Sequence, residues 1–114
     1  MLLNEFLQKL SQTPEQIEFS DTIDVINATY HFEPAKFTNG ATVNEANENN
    51  GSCKIFAFGL INSLSQQETL ACFGNYYRED VVEHPENDDH QNIRNFITSG
   101  WDGIHFESAS LLEK

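Results

Sequence analysis

Leu3, Phe6, Leu7 and Leu10 recur at i, i+3, i+4 and i+7, the spacing that gathers four side chains on one face of a helix. Asn4 and Glu5 suit its first turn, where an acid meets the positive end of the helix dipole. Pro14 after Thr13 reads as the start of a second, shorter helical turn. Ser20 is the expected cap of the next helix, with Asp21 in its first turn and Ile23, Ile26 and Tyr30 on its inner face. Pro34 closes that helix, because the residue before a proline avoids the helical region. In FTNGATVNEANENNG, residues 37–51, Asn39-Gly40 is a turn signal between two short β-prone pieces. The asparagines that follow read as a turn-rich, exposed polar surface.

The segment CKIFAFGLINSL, from Cys53 to Leu64, is apolar around its whole circumference and predicts a buried helix. Ser52 is its expected cap, and Gly59 marks a close contact with another helix. Ser65-Gln-Gln-Glu68 fits a capping box. Leu70, Phe73 and Tyr77 carry the next stripe, which Gly74 kinks and Val81 and Val82 extend until Pro85 ends it. Asp89 is the expected cap of a last helix with Ile93, Phe96 and Ile97 inside, ended by Ser99-Gly100. GIHFE then alternates, with Ile104 and Phe106 on one face and His105 and Glu107 on the other, so it predicts a strand paired with residues 37–43. The pattern as a whole predicts a mainly α chain with a small antiparallel β element, an α+β fold in a single compact domain over residues 1–114.

Composition adds two constraints. Eighteen acidic against six basic residues give a net charge of −12, a field that repels phosphate backbones and anionic bilayers. Neither nucleic acid nor membrane is therefore an expected partner; a protein partner, host or bacterial, is. Cys53 and Cys72 lie in apolar helical stretches with no metal-type or CxxC spacing, so they read as reduced core thiols, a disulfide between them staying open. The N-terminal MLLNEFLQKL is too short and polar for a secretory signal, and no apolar run reaches membrane-spanning length. A cytoplasmic protein is the expectation.

Two stretches could carry chemistry. In HPENDDHQNIR, residues 84–94, proline stop, turn and cap explain most positions. No metal or cofactor is expected; if a metal were held, His84, Asp88 and His90 are the residues that would serve it. In NNGSCK, Gly51 and Ser52 place free backbone N–H groups at a helix start beside Lys54, an arrangement that accepts anions. Asn39, Asn44, Asn47, Asn49 and Asn50 could also form a network with Asn92 or Arg94. A ligand site between these segments would use Asn39, Asn44, Asn49, Gly51, Ser52, Lys54, His84, His90, Asn92 and Arg94. No nucleophile–base–acid order stands out, so no catalytic residue is assigned and an enzyme is not the expectation.

The words YHFEPAKFTNG, NNGSCKIFAFG, TLACFGNYYREDV, HPENDDHQNIRNF and GWDGIHFE, in this order and spacing, resemble the HopJ type III effector family from about Phe19 to near the end of the chain. The family is named for proteins that plant-pathogenic bacteria deliver into host cells, and relatives occur in other bacteria. The resemblance implies a bacterial origin and a shared fold without an assigned activity; a protein-interaction module is the expected function, and a small enzyme or a ligand- or metal-binding protein the alternative. It supplies no catalytic residue. Delivery into a host cell is the alternative location, yet a stripe built for burial from Leu3 onward leaves little room for a flexible secretion signal.

Overall fold

The computed structural model describes residues 1–114. Helix α1, Leu3–Gln12, buries Phe6 and Leu10 completely, as its stripe predicts. A short 3-10 turn, Pro14–Gln16, carries Pro14 at its start. Helix α2, Phe19–Thr29, begins two residues earlier than a Ser20 cap would place it: Glu18 is the cap residue, and its N–H donates to Asp21 Oδ2 at 3.2 Å. The helix also stops before Pro34 is reached. Tyr30–Phe32 is a strand, β1, antiparallel to a C-terminal strand Leu111–Glu113. That two-stranded sheet has no counterpart in the sequence reading.

Strands β2, Phe37–Asn39, and β3, Thr42–Asn44, form the hairpin that Asn39-Gly40 announces. Gly40 takes φ 61° in its two-residue turn, where a side chain would be strained. Strand β4, Ile104–Phe106, lies on the other side of β2 in the register Phe37↔Phe106 and Asn39↔Ile104. The predicted strand pairing is therefore present, and Leu111–Glu113 becomes β5.

Helix α3, Asn50–Ile61, is the axis of the molecule. Ile55, Phe56 and Phe58 are fully buried. The ring of Phe56 lies 5.0 Å from Phe96, 5.6 Å from Phe73 and 5.9 Å from Phe37, centroid to centroid. Each such buried ring contributes about 1.5–3 kcal/mol through lost water contact. Phe6 and Tyr30 pack edge-on to Phe58, so α1 and β1 close the opposite side. Gly59 does make a close contact, but with the indole of Trp101 rather than with a helix: a methyl there would sit 2.7 Å from Cη2.

Helix α4, Gln66–Ala71, starts with the capping box read from the sequence; Glu68 N donates to Ser65 Oγ at 3.1 Å and Ser65 N to Glu68 Oε1 at 2.9 Å. The chain then does more than kink at Gly74. Gly74 takes φ 61°, and a Cβ there would lie 2.6 Å from Phe19 N. Beyond it Tyr76–Val81 is a π-helical turn, in which Val82 N–H donates five residues back to Tyr77 O at 3.0 Å. Helix α5, Gln91–Ser99, ends at Gly100 and passes through a 3-10 turn, Gly100–Gly103, into β4. Two predicted caps are corrected. The residue before α3 is Asn49 and the residue before α5 is His90; both adopt left-handed backbone, at φ 52° and 50°. Ser52 and Asp89 cap neither helix, and neither helix start carries a side-chain cap.

Candidate functional site

Only part of the asparagine set forms an exposed surface. Asn39, Asn44 and Asn92 are buried and bonded to one another. Asn92 Oδ1 accepts from Asn39 Nδ2 at 3.0 Å and Asn44 Nδ2 at 3.1 Å, while Asn92 Nδ2 donates to Asn44 Oδ1 at 2.9 Å. Asn39 Nδ2 also reaches the Asn92 carbonyl at 2.8 Å. Asn49 Nδ2 joins from the rim, donating to Asn44 Oδ1 at 2.8 Å. Asn95 extends the tie, donating to Asn39 O and Thr42 Oγ1. Buried amides are costly unless satisfied, and apart from Asn39 Oδ1, which has no partner, the side chains of Asn39, Asn44 and Asn92 are bonded, so the arrangement fixes one relative position of the hairpin and α5. Asn47 remains on the surface, as the sequence reading has it.

In front of that network is a cavity of about 340 Å³, within the range of small-molecule sites. It is bounded by the starts of three helices and by β3. Phe19, Phe73 and Tyr76 supply apolar surface. Asn44, Asn49, Ser52, Gln91 and Asn92 supply uncharged donors and acceptors. Gly51 belongs here for a steric reason: a Cβ would lie 3.0 Å from the Phe19 ring. His90 is the one titratable group among the lining residues besides Tyr76. Its ring lies 5.1 Å from Tyr76, whose own ring meets Phe19 edge-on at 5.0 Å.

The structure sorts the ten residues singled out from sequence. Asn44, Asn49, Gly51, Ser52, His90 and Asn92 line the cavity together. Asn39 stands behind it. Lys54 does not take part; its Nζ donates to Asn27 Oδ1 at 3.0 Å and lies 4.9 Å over the Phe32 ring. His84 is exposed beside Glu86. Arg94 holds the preceding loop, with Nη2 at 2.6 Å from Asp89 Oδ1, Nε at 2.6 Å from Asp89 O and Nη1 on Pro85 O. Arg94 is thus paired locally with an acid rather than joined to the asparagine network. That hydrogen bond, helped by the charges of Arg94 and His90, holds the Asp89 carboxyl below the usual carboxylate range.

The set His84, Asp88 and His90 does not assemble. Asp88 is exposed, and the groups that converge are Asp80, Asp89 and His90, with ligand atoms within 4.8 Å of one another. His90 Nε2 is 2.9 Å from Asp80 Oδ2 and 3.9 Å from Asp89 Oδ2. Asp80 went unnoticed because it lies across Pro85 in sequence, and only the loop that Arg94 clamps returns the chain to it. Ser52 and His90 share the cavity without a hydrogen bond between them, so no activated-nucleophile pair is formed. Both cysteines are free and buried. Burial pushes the Cys72 thiol up to about 12, with the Thr22 hydroxyl pulling slightly the other way.

A helix-rich α+β domain with an amide-walled cavity is the class that fold and site define. The family described as HopJ type III effector protein matches residues 3–111, and the chain belongs to that family. The crystal structure of unknown function protein VPA0580 is similar over 100% of this chain and 95% of that one, at 62% identity and a TM-score of 0.99. No curated protein matches the chain.

Proposed function

We propose that the protein binds a small, neutral, polar ligand in the cavity between the hairpin, α3 and α5. The observation that carries this reading is the buried Asn39–Asn44–Asn92 network directly behind the cavity. Apolar residues would join a hairpin to a helix without polar desolvation, whereas paired amides fix geometry and leave donors and acceptors at the wall. The ligand is neutral because the wall holds no cation apart from what His90 can carry, and Asp80 and Asp89 stand at its edge. It has a hydrogen-bonding edge for the amides and a flat or apolar face for Phe19, Phe73 and Tyr76. Monosaccharides and nucleosides have that character and size.

Thermal unfolding against panels of neutral sugars and nucleosides tests the reading. A ligand present at a hundred times its dissociation constant should add about 2.7 kcal/mol. Tyr76→Ala and Gln91→Ala, both at exposed lining positions, should each remove that shift while the unliganded protein stays folded. Binding untouched by both variants, or a response to charged compounds alone, refutes it.

A second reading, a protein-interaction module, is favoured by a separate feature. Leu60 and Ile61 at the end of α3 are half exposed and border an apolar groove of about 130 Å³ with Phe106 and Leu111. A partner that buries this groove should be lost in Leu60→Asp with the cavity unaffected. On location, we read the chain as acting in the cell that makes it. Residues 3–12 are packed helix, with the Phe6 ring 5.8 Å from Phe58. A reporter fusion exported by a type III apparatus would overturn this.

A further inference from the structure

We propose that Asp80, Asp89 and His90 form a binding site for one divalent zinc-class ion at the edge of the cavity. The donor set is a mixed one: an imidazole nitrogen and two carboxylate oxygens from separate carboxylates. Three protein ligands with an open fourth position are the pattern of zinc sites that also accept water or a ligand atom. The distances agree with it. Two ligand atoms on a tetrahedral ion at ordinary zinc–nitrogen and zinc–oxygen lengths lie about 3.3 Å apart. His90 Nε2 stands 2.9 Å from Asp80 Oδ2 and 3.9 Å from Asp89 Oδ2, one side slightly short and one slightly long. The two carboxylates stand within 4.8 Å of each other, so ion binding would draw the acids together by side-chain rotation.

The surroundings are those of a held ligand set rather than a loose acid patch. Arg94 binds Asp89 through Oδ1 and leaves Oδ2 on the side of His90. Its Nη2 also reaches the Asp80 backbone carbonyl at 3.3 Å, so one guanidinium positions both acids. The imidazole is fixed by Tyr76, 5.1 Å from it. The π-helical turn Tyr76–Val81 supplies both Tyr76 and Asp80, and such turns are frequent at functional sites. Charge favours occupancy twice. The two carboxylates outweigh the one guanidinium on Asp89, so the cluster keeps a negative balance that attracts a dication, and the net charge of −12 draws cations toward the surface. The imidazole would bind through Nε2 as its Nδ1–H tautomer, and the contact to Asp80 would become shared coordination.

The test is metal affinity of chelator-stripped protein, measured by calorimetry with zinc and by visible absorption with cobalt as the spectroscopic probe. One ion per chain is expected, with a cobalt spectrum of low-coordinate type. His90→Ala and Asp80→Asn should each weaken binding at least roughly tenfold, and Arg94→Gln by a smaller factor. His84→Ala should leave it unchanged, because that ring lies outside the cluster. Asp80→Asn keeps an acceptor for His90, and its unfolding without metal, matched to the parent, separates lost coordination from lost fold. The proposal is overturned by the absence of saturable binding below about 100 µM, by an affinity indifferent to His90 and Asp80, or by one that depends on His84. Since the readout is the ion itself, a cavity that accepts no neutral ligand would leave this result standing, and the reverse holds as well.

Discussion

Replacing Asn92 by alanine should be among the most damaging changes available outside the apolar core. Asn92 accepts two side-chain hydrogen bonds and donates one, all in buried surroundings. The consequences for its partners differ. Asn39 Nδ2 keeps the residue 92 carbonyl, and Asn44 Oδ1 keeps Asn49 Nδ2. Asn44 Nδ2 loses its partner altogether and stays buried, at a cost of about 1–3 kcal/mol. The amide-sized void adds to this, so a total of about 2–4 kcal/mol is expected. Asn49→Gly is the matched control. It removes one hydrogen bond at the rim while glycine keeps the φ of 52° without strain, and should cost about 0.5–1 kcal/mol. Urea unfolding followed by the fluorescence of Trp101, which packs 5.0 Å from Phe96, reads both. The midpoint should fall with an unchanged slope. A loss under about 1 kcal/mol for Asn92→Ala, or a loss equal to that of Asn49→Gly, would show that the amides do not hold the hairpin to α5.

Three further outcomes are expected. Gly74→Ala meets both a positive φ and a backbone atom at 2.6 Å, so it should cost at least about 2 kcal/mol, whereas Gly40→Ala shares the positive φ but meets no backbone atom, only the Ser99 hydroxyl at 3.2 Å, and should cost about 1 kcal/mol; thermal melts compare them. The Cys72 thiol, raised to about 12, stays protonated in the folded chain while the unfolded one ionises, so its stabilising contribution is complete below the unfolded value and is lost as pH rises through the interval up to about 12; the alkaline slope of stability should be shallower in Cys72→Ala, and a thiol reagent at neutral pH should label neither cysteine until denaturant is added. Asp89 behaves oppositely: its lowered value makes its pairing with Arg94 stabilising above the unfolded carboxylate pKa and lost as pH falls through the folded one, so the difference between parent and Asp89→Asn should shrink in acid unfolding below about pH 4.

Periodicity carried most of the helices, because Leu3 to Leu10 and Cys53 to Leu64 show patterns that only a surface or a buried helix explains. The three residues of β1 were missed for want of length: Tyr30, His31 and Phe32 offer too few positions to outweigh the helical stripe before them. The caps at Asn49 and His90 were missed for another reason. Capping rules look for a side-chain acceptor, and here the turn is made by left-handed backbone instead. Six of the ten site residues share the cavity because Asn-rich loop, NNGSCK and HPENDDHQNIR really do meet. What sequence could not show was reciprocity. An asparagine-rich segment reads as surface, and only partners some fifty positions away, as Asn39 and Asn44 are from Asn92, make its burial affordable.

The order of the strands also sets an order in time. The hairpin β2–β3 is local, but β2 is completed by β4 and β1 by β5, from the far end of the chain. Contacts so distant in sequence form late, after local helices and turns. During synthesis, Phe37–Asn39 must therefore wait with one edge open, and Tyr30–Phe32 with no partner strand at all, while everything from α3 to α5 is made. The amide network waits with them, since Asn92 arrives long after Asn39 and Asn44. For that interval the nascent chain carries two incompletely paired strands beside its most apolar helix, and it is then, rather than once folded, that this acidic chain is most exposed to aggregation.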